Sequence, residues 1–268
     1  MSALNASQIL AGIGLAMLVA VVSYRVKALS GSGALAAAVV GGVTFGLGGW
    51  PAAVLLLGFF ISSSALSGVG REPKRALSEK FSKDSRRDAS QVLANGGLAA
   101  ALAAVYGISG APLWLLGMAG ALAAANADTW GTELGVLSSR PPRRIVGGQP
   151  ADPGTSGAVS LVGVLASLAG AGLIGALAWA GSGEPRWILW GMLAGLGGSL
   201  FDSFLGATVQ AIYWCPSCEK ETERYPAHVC GNQTQWLRGW RWLDNDLVNA
   251  LSVTVGAAVA IVLGYAIR

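Results

Sequence analysis

Apolar residues fall into eight long runs along the chain, at roughly 7–24, 33–49, 51–69, 90–109, 112–128, 158–180, 187–213 and 246–267. Each approaches the ~20 residues a helix needs to cross the hydrocarbon of a bilayer. The pattern predicts an all-α fold: a polytopic transmembrane helix bundle of about eight spans, forming one domain over 1–268, with a loop at 214–243 inserted before the last span. The second and fifth runs are short, which leaves seven spans plus a re-entrant piece as the alternative. The first run, Ile9 to Val22, has no Lys or Arg before it. A cleavable signal wants a positive n-region, so this run reads as a retained span.

Charge tests the count. The odd-numbered loops hold Arg25 and Lys27; Arg71, Lys74, Arg75, Lys80, Lys83, Arg86 and Arg87; Arg140, Arg143 and Arg144; and Lys220, Arg224, Arg238 and Arg241. That is sixteen of the eighteen basic residues, and only Arg186 and Arg268 remain for the other side. The positive-inside rule then places the odd loops in the cytoplasm and both termini outside, in an inner-membrane setting. A wrong span count would scramble this alternation, so eight spans are preferred.

Composition agrees. Apolar residues make up 53% and charged ones 12%, with a mean hydropathy of +0.55, against about a quarter charged in a soluble domain. Thirty-nine glycines suit helices that approach closely in lipid. The net charge of +4 is no nucleic-acid footprint, because the basic residues sit in loops between apolar runs. A faint internal similarity relates 117–129 to 191–203, with Gly, Met, Leu and Asp matching at an offset of 74. A duplicated helix pair would explain it, as would chance.

Polar chemistry gathers at the inner ends of the spans. The densest stretch is Asn126-Ala-Asp128-Thr129-Trp-Gly-Thr132-Glu133. On a helix, Asn126, Thr129 and Glu133 share one face and Asp128 and Thr132 a second row. Such oxygen donors suit Mg²⁺, which takes one or two carboxylates with waters and phosphates; a helix end emerging into water would also tolerate them. Asp202-Ser203 lies about 18 Å along a helix from Trp214, where an ionisable group faces a polar cavity or a partner; the preceding Gly197-Gly198 is a place where the helix could break. Asp244, Asp246 and Asn249 open the last span, one of the two acids being a natural N-cap. Arg87, Gln91 and Asn95 stack at intervals of four, and Arg suits phosphate, although a basic segment resting on anionic headgroups has the same look. The turn Asp152-Pro-Gly154-Thr155-Ser156-Gly157 offers backbone amides to an anion.

Cys215, Cys218, His228 and Cys230 use every Cys and the only His of the chain. Cys₃His is a closed structural zinc set, and disulfides are disfavoured in a reducing cytoplasmic loop. The expected task of the zinc is to fold the loop that delivers Asp244 and Asp246.

Taken together, Lys27-Ala-Leu-Ser-Gly-Ser-Gly33, Gln91-Val-Leu-Ala-Asn95-Gly, Asn126 to Gly135, Pro153-Gly154-Thr155-Ser-Gly157, Asp202 to Gln210 and Trp242-Leu-Asp244-Asn-Asp246 resemble the phytyl-phosphate kinase family of integral membrane proteins, of vitamin E biosynthesis and prenyl phosphate salvage. The resemblance implies phosphoryl transfer from CTP or another nucleoside triphosphate to a prenyl monophosphate, giving the diphosphate at the cytoplasmic face. Asp128, Glu133, Asp202 and Asp246 are then the catalytic and Mg²⁺-binding candidates. Lys27, Arg87, Asn95, Asn126, Thr129, Gly154, Thr155, Gly157, Ser203, Asp244 and Asn249 are candidates for substrate contact. The chain departs from many relatives at Ile145-Val146-Gly147, where hydroxyls are missing. The competing readings are a transporter of a lipid phosphate or ion, which the intramembrane Asp202 would suit, and a non-catalytic assembly protein.

Overall fold

The computed structural model describes residues 6–67 and 86–266. The expected basic residues Arg71, Lys74, Arg75, Lys80, Lys83 and Arg268 lie outside the described residues. Among these residues seven helices follow in order: α1 (Ala6–Arg25), α2 (Gly31–Ser67), α3 (Ala89–Ser109), α4 (Pro112–Gly135), α5 (Leu161–Ser182), α6 (Arg186–Thr208) and α7 (Asn245–Ala266). All but α4 are long and apolar enough to cross a membrane.

Helix α2 is two limbs. Gly49 has φ 70° and ψ −163°, a region open essentially to glycine alone, and Pro51 begins the second limb. Gly33 on the first limb abuts the Arg87 carbonyl, and Phe59 on the second lies under the Arg87 guanidinium, 5.7 Å from ring to carbon. A straight helix would hold residues 33 and 59 about 39 Å apart at 1.5 Å per residue. The limbs therefore fold back on each other, and the chain has the eight apolar segments its sequence expects. The short second run is the first limb of this pair.

Helix α4 is the axis of the bundle, packed against α2, α3, α5, α6 and α7. Every residue from Leu115 to Ala127 is buried, and these residues are mostly Ala, Gly and Leu. Small residues let neighbouring backbones approach, which drives helix association where lipid supplies no hydrophobic force. A Cβ on Gly120 would sit 2.4 Å from the Gly256 carbonyl oxygen, and one on Gly198 2.5 Å from the Ala124 methyl. The expectation that Gly197-Gly198 breaks its helix fails here. Helix α6 runs through both, because the missing side chains are used for contact with α4 and α7. Ala124 and Gly198, themselves 74 residues apart, meet directly, so the two similar segments are parallel neighbours.

Two departures from an all-α fold occur between helices. Strands β1 (Arg143–Arg144) and β2 (Ala158–Val159) pair antiparallel, closing the 136–160 connection into a flap. Helix α6 stops at Thr208, short of the expected 213, and β3 (Ile212–Cys215) pairs with β4 (Lys220–Thr222) and β5 (Gln235–Arg238). This three-stranded knob holds the cysteine cluster. Every described Lys and Arg except Arg186 sits at the knob-and-flap end of the bundle.

Candidate active site at the polar end of the bundle

A cavity of about 400 Å³ opens among the polar ends of the helices. Helix α4 contributes Asp128, Thr129, Thr132 and Glu133, and α6 contributes Asp202 and Ser203. Arg87, with Gln91 and Asn95 from α3, lines it too, as does Asn249 of α7. The flap supplies Gly154, Thr155, Ser156 and Gly157. Eleven of the residues singled out from the sequence as site candidates thus converge on one space: Arg87, Asn95, Asp128, Thr129, Glu133, Gly154, Thr155, Gly157, Asp202, Ser203 and Asn249.

The acids are close enough to feel one another. Asp202 is acted on by the charges of Asp128 and Glu223, and Asp128 by that of Glu223. Asp202 Oδ2 is buried and meets no hydrogen-bond partner among the described residues. Desolvated like charges repel, and these oxygens could hold a cation among them. Glu133 accepts from Ser67 Oγ at 2.6 Å, which fixes one of its oxygens on the α2 side.

Arg87 is held by its backbone. Its N–H donates to the Ala28 carbonyl at 3.1 Å and its carbonyl accepts from Ser30 N–H at 3.0 Å. Arg86 reaches the Leu29 carbonyl at 3.3 Å. The next residue, Asp88, caps α3 by accepting from Gln91 N–H, while the Gln91 side chain accepts from Asp88 N–H. This reciprocal box satisfies two end donors and sets the Gln91 side chain in place. Burial lowers the Arg87 guanidinium from its ordinary range, and the Glu133 charge works against that.

Glu223 is the residue the sequence reading missed. It follows β4, and its Oε1 accepts from Gln210 Nε2 at 3.0 Å. Gln210 Oε1 accepts in turn from Ser156 Oγ at 2.9 Å, so knob, helix end and flap are joined through one buried amide. Gly157 makes this docking feasible: with φ 76°, a Cβ there would strike Ala207 N at 2.2 Å. Only the charge run Lys220-Glu221-Thr222-Glu223-Arg224 marks Glu223 in the sequence, and that pattern is ordinary on a surface.

Four candidates do not line the cavity. Lys27 is exposed in a left-handed turn, φ 62°, and its motif serves the site by gripping Arg87. Asn126 is fully buried, donating to the Gly170 carbonyl at 2.8 Å and accepting from Ser62 Oγ at 3.0 Å, which ties α2, α4 and α5 together. Asp244 is exposed and accepts from Leu247 N–H at 3.0 Å; it is the N-cap of α7. Asp246 is half-buried in the first turn of α7.

In the knob, the donor atoms of Cys215, Cys218, His228 and Cys230 all lie within 4.8 Å of one another. The Cys215 and Cys230 sulfurs are 3.7 Å apart, close to the edge of a tetrahedron with metal–sulfur bonds of about 2.3 Å. His228 Nδ1 is 3.3 Å from Cys230 Sγ, which makes Nδ1 the nitrogen facing the cluster. Bonds from the Asn232 backbone, His228 and the Asn232 side chain hold the Cys230 thiol down to about 6. Its bond to Cys230, followed by burial, pushes Cys218 up to about 11. The set could hold a metal ion, and the first thiolate it needs is already favoured.

A second cleft of about 470 Å³ lies between flap and knob, lined by Arg144, Asp152, Thr155, Trp214, Lys220 and Glu223 among others. It shares Gly154, Thr155, Ser156 and Glu223 with the central cavity.

The family model described as "Integral membrane protein DUF92" matches residues 14–257. The chain belongs to this family. It is 34% identical to Protein PGR of Arabidopsis thaliana over 88% of this chain and 89% of that one. It is 36% identical to an uncharacterized membrane protein of Methanocaldococcus jannaschii, over 68% of this chain and 74% of the relative. Similarity to the chloroplastic Protein VTE6 of Arabidopsis thaliana is 26% over 89% of this chain and 66% of that protein. No solved structure matches the chain.

Proposed function

We propose that this protein is a Mg²⁺-dependent kinase of prenyl monophosphates, using CTP or another nucleoside triphosphate, in the inner membrane with its polar end toward the cytoplasm. The observation that carries the reading is the convergence of Asp128, Glu133, Asp202 and Glu223 with Arg87 and the glycine turn on one cavity. It is supported by the resemblance to phytyl-phosphate kinases and by the match to Protein VTE6.

Phosphoryl transfer asks little covalent chemistry of a protein and a great deal of positioning and charge neutralisation. An oxygen of the acceptor monophosphate attacks the γ-phosphorus of the nucleotide. The bond from that phosphorus to the β-bridging oxygen breaks, giving a prenyl diphosphate and a nucleoside diphosphate. Arg87 is assigned to the acceptor phosphate, since its wall is shared with α3. The amides of the 154–157 turn and the Thr155 hydroxyl are assigned to the nucleotide phosphates, and the outer cleft behind them gives room for the nucleoside. Asp128, Asp202 and Glu223 would hold Mg²⁺, which when bound neutralises the phosphates and the developing charge on the leaving oxygen. Asn126 is left with a structural task, and Asp244 with capping. In the knob, Cys₃His is assigned a structural zinc, because four protein ligands leave no open position.

The test is transfer of labelled phosphate from CTP, ATP, GTP and UTP to geranyl, farnesyl, geranylgeranyl and phytyl monophosphate by purified protein, with and without Mg²⁺. The expected result is a diphosphate product that requires Mg²⁺ and is lost by a factor of about 10² or more in Asp202→Asn. No diphosphate from any pairing, in protein that retains its helicity, would sink the kinase.

A further inference from the structure

An apolar groove opens beside the polar cavity. Its walls are Gly12, Leu15, Ala16 and Val19 of α1, residues of both limbs of α2, and the start of α3. Glycines bring the helices of its walls close together: a Cβ on Gly41 would come to 3.1 Å of the Ala16 methyl, and one on Gly96 to 3.1 Å of Val40, so the groove is narrow. Along α3 the lining runs from Arg87 to Gly96, about 13 Å at 1.5 Å per residue.

Among the described residues only three polar side chains line this groove: Arg87, Gln91 and Asn95. The same three, with Phe59, also line the cavity that holds the acids. Groove and cavity are therefore two sides of one wall, apolar on the membrane flank and ionic on the other. At the junction the Phe59 ring lies under the Arg87 guanidinium, which presents hydrocarbon to one side and a cation to the other. Asn95 Nδ2 is tied to the Gln91 carbonyl at 3.0 Å, and Gln91 by the cap of α3, so the wall is pre-set.

The groove encloses about 90 Å³, so it admits part of one slender hydrocarbon chain and not two, and Arg87 at its end suits a phosphate. We propose that this groove seats the chain of a single-chain lipid monophosphate, between α1 and the hairpin of α2, with its phosphate on Arg87. The proposal rests on the kinase reading for the identity of the lipid as the phosphoryl acceptor. Helix α1 packs along α2 and turns Leu10, Met17, Leu18 and Val21 outward, so it is an edge helix and the groove is reached from the bilayer beside it.

The experiment uses a farnesyl monophosphate carrying a diazirine on its terminal isoprene unit, photolysed with the full-length protein in detergent micelles and mapped by peptide mass spectrometry. The expected labels fall on Gly12–Val19, Ala37–Phe45 or Ala53–Phe60. They are competed by unlabelled farnesyl monophosphate and unaffected by excess two-chain phosphatidic acid. Ala37→Phe narrows the groove from a half-buried position; excluding as few as two methylene groups corresponds to about tenfold in affinity, and labelling should fall accordingly. The wild-type map stands whether or not that variant folds. Labels confined to bilayer-facing side chains, or equal competition by phosphatidic acid, would overturn the proposal. Competed groove labelling in a protein that transfers no phosphate would keep the groove and remove the kinase; transfer with no groove labelling would do the reverse.

Discussion

Replacing Cys218 by Ser tests the link between the knob and the cavity. The knob covers 33 residues, Ile212 to Asp244, with strands of four, three and four residues. Units below about 40 residues seldom fold without a metal, disulfides or a partner, and here Tyr225, Trp236 and Leu237 remain exposed. Binding of a structural zinc contributes on the order of 10–16 kcal/mol in comparable small folds, so losing one of four ligands should leave the knob unfolded. The large core of the bundle contains no residue between Ala194 and Val253, so helicity should persist. Glu223 would then lose its seat on Gln210. If it meets the transition state, kcat should drop by about 10²–10³, or roughly 2.7–4 kcal/mol, with KM for the lipid little changed. The assays are elemental analysis, circular dichroism, trypsin cleavage after Lys220 or Arg224, and labelled phosphate transfer. Glu223→Gln should reproduce the kinetic loss with the metal retained. A metal-free Cys218→Ser protein that resists trypsin and keeps full kcat would refute the argument. Slow Cys218→Ser beside a normal Glu223→Gln would keep the knob's role and release Glu223 from it.

Three further outcomes follow from the geometry. Gly198→Ala should destabilise the detergent-solubilised protein by about 1–3 kcal/mol, read as a lower melting temperature, because the added methyl meets Ala124 and the Ser252 carbonyl; an unchanged melting curve would contradict the packing. Gly49→Ala should cost about 1–3 kcal/mol through backbone strain alone, since Gly48 and Pro51 beside it are untouched, and a neutral result would place the α2 reversal elsewhere. A cysteine at Gly110 should react with an impermeant maleimide on intact cells, and one at Gly148 only after permeabilisation; the opposite pattern inverts the topology.

Much of the fold was legible because each span is written locally, as a run of apolar residues bounded by charge on at least one side. The α2 hairpin was legible as two separate runs, although only Trp50 parts them. The sheet of the knob was not: Ile212-Tyr-Trp-Cys215 continues the apolar run of α6 without a break in composition, and what ends the helix is pairing with residues far along the chain. Asn126, Asp128 and Glu133 look alike as polar positions on one helix, yet one is bolted between helices and two face the cavity. That difference depends on Gly170 and Ser62, which periodicity cannot place. Gly197-Gly198 marks close approach instead of a break, and either use needs the same residue. Lys27 misled in the same manner: its motif matters through backbone atoms, which carry no residue signature.

The clasp between residues 28–30 and Arg87 has a mechanical consequence. At that end α1 is fastened by two backbone hydrogen bonds and by Arg86 on the Leu29 carbonyl. At the other end it is held by the amide of Gln8 on the Gly46 carbonyl at 3.1 Å. Arg87 is thus held in register with the cavity from two directions, by the turn that opens α2 and by the cap of α3. A change that lengthened the 26–30 turn would displace the cation without altering a single residue that lines the cavity.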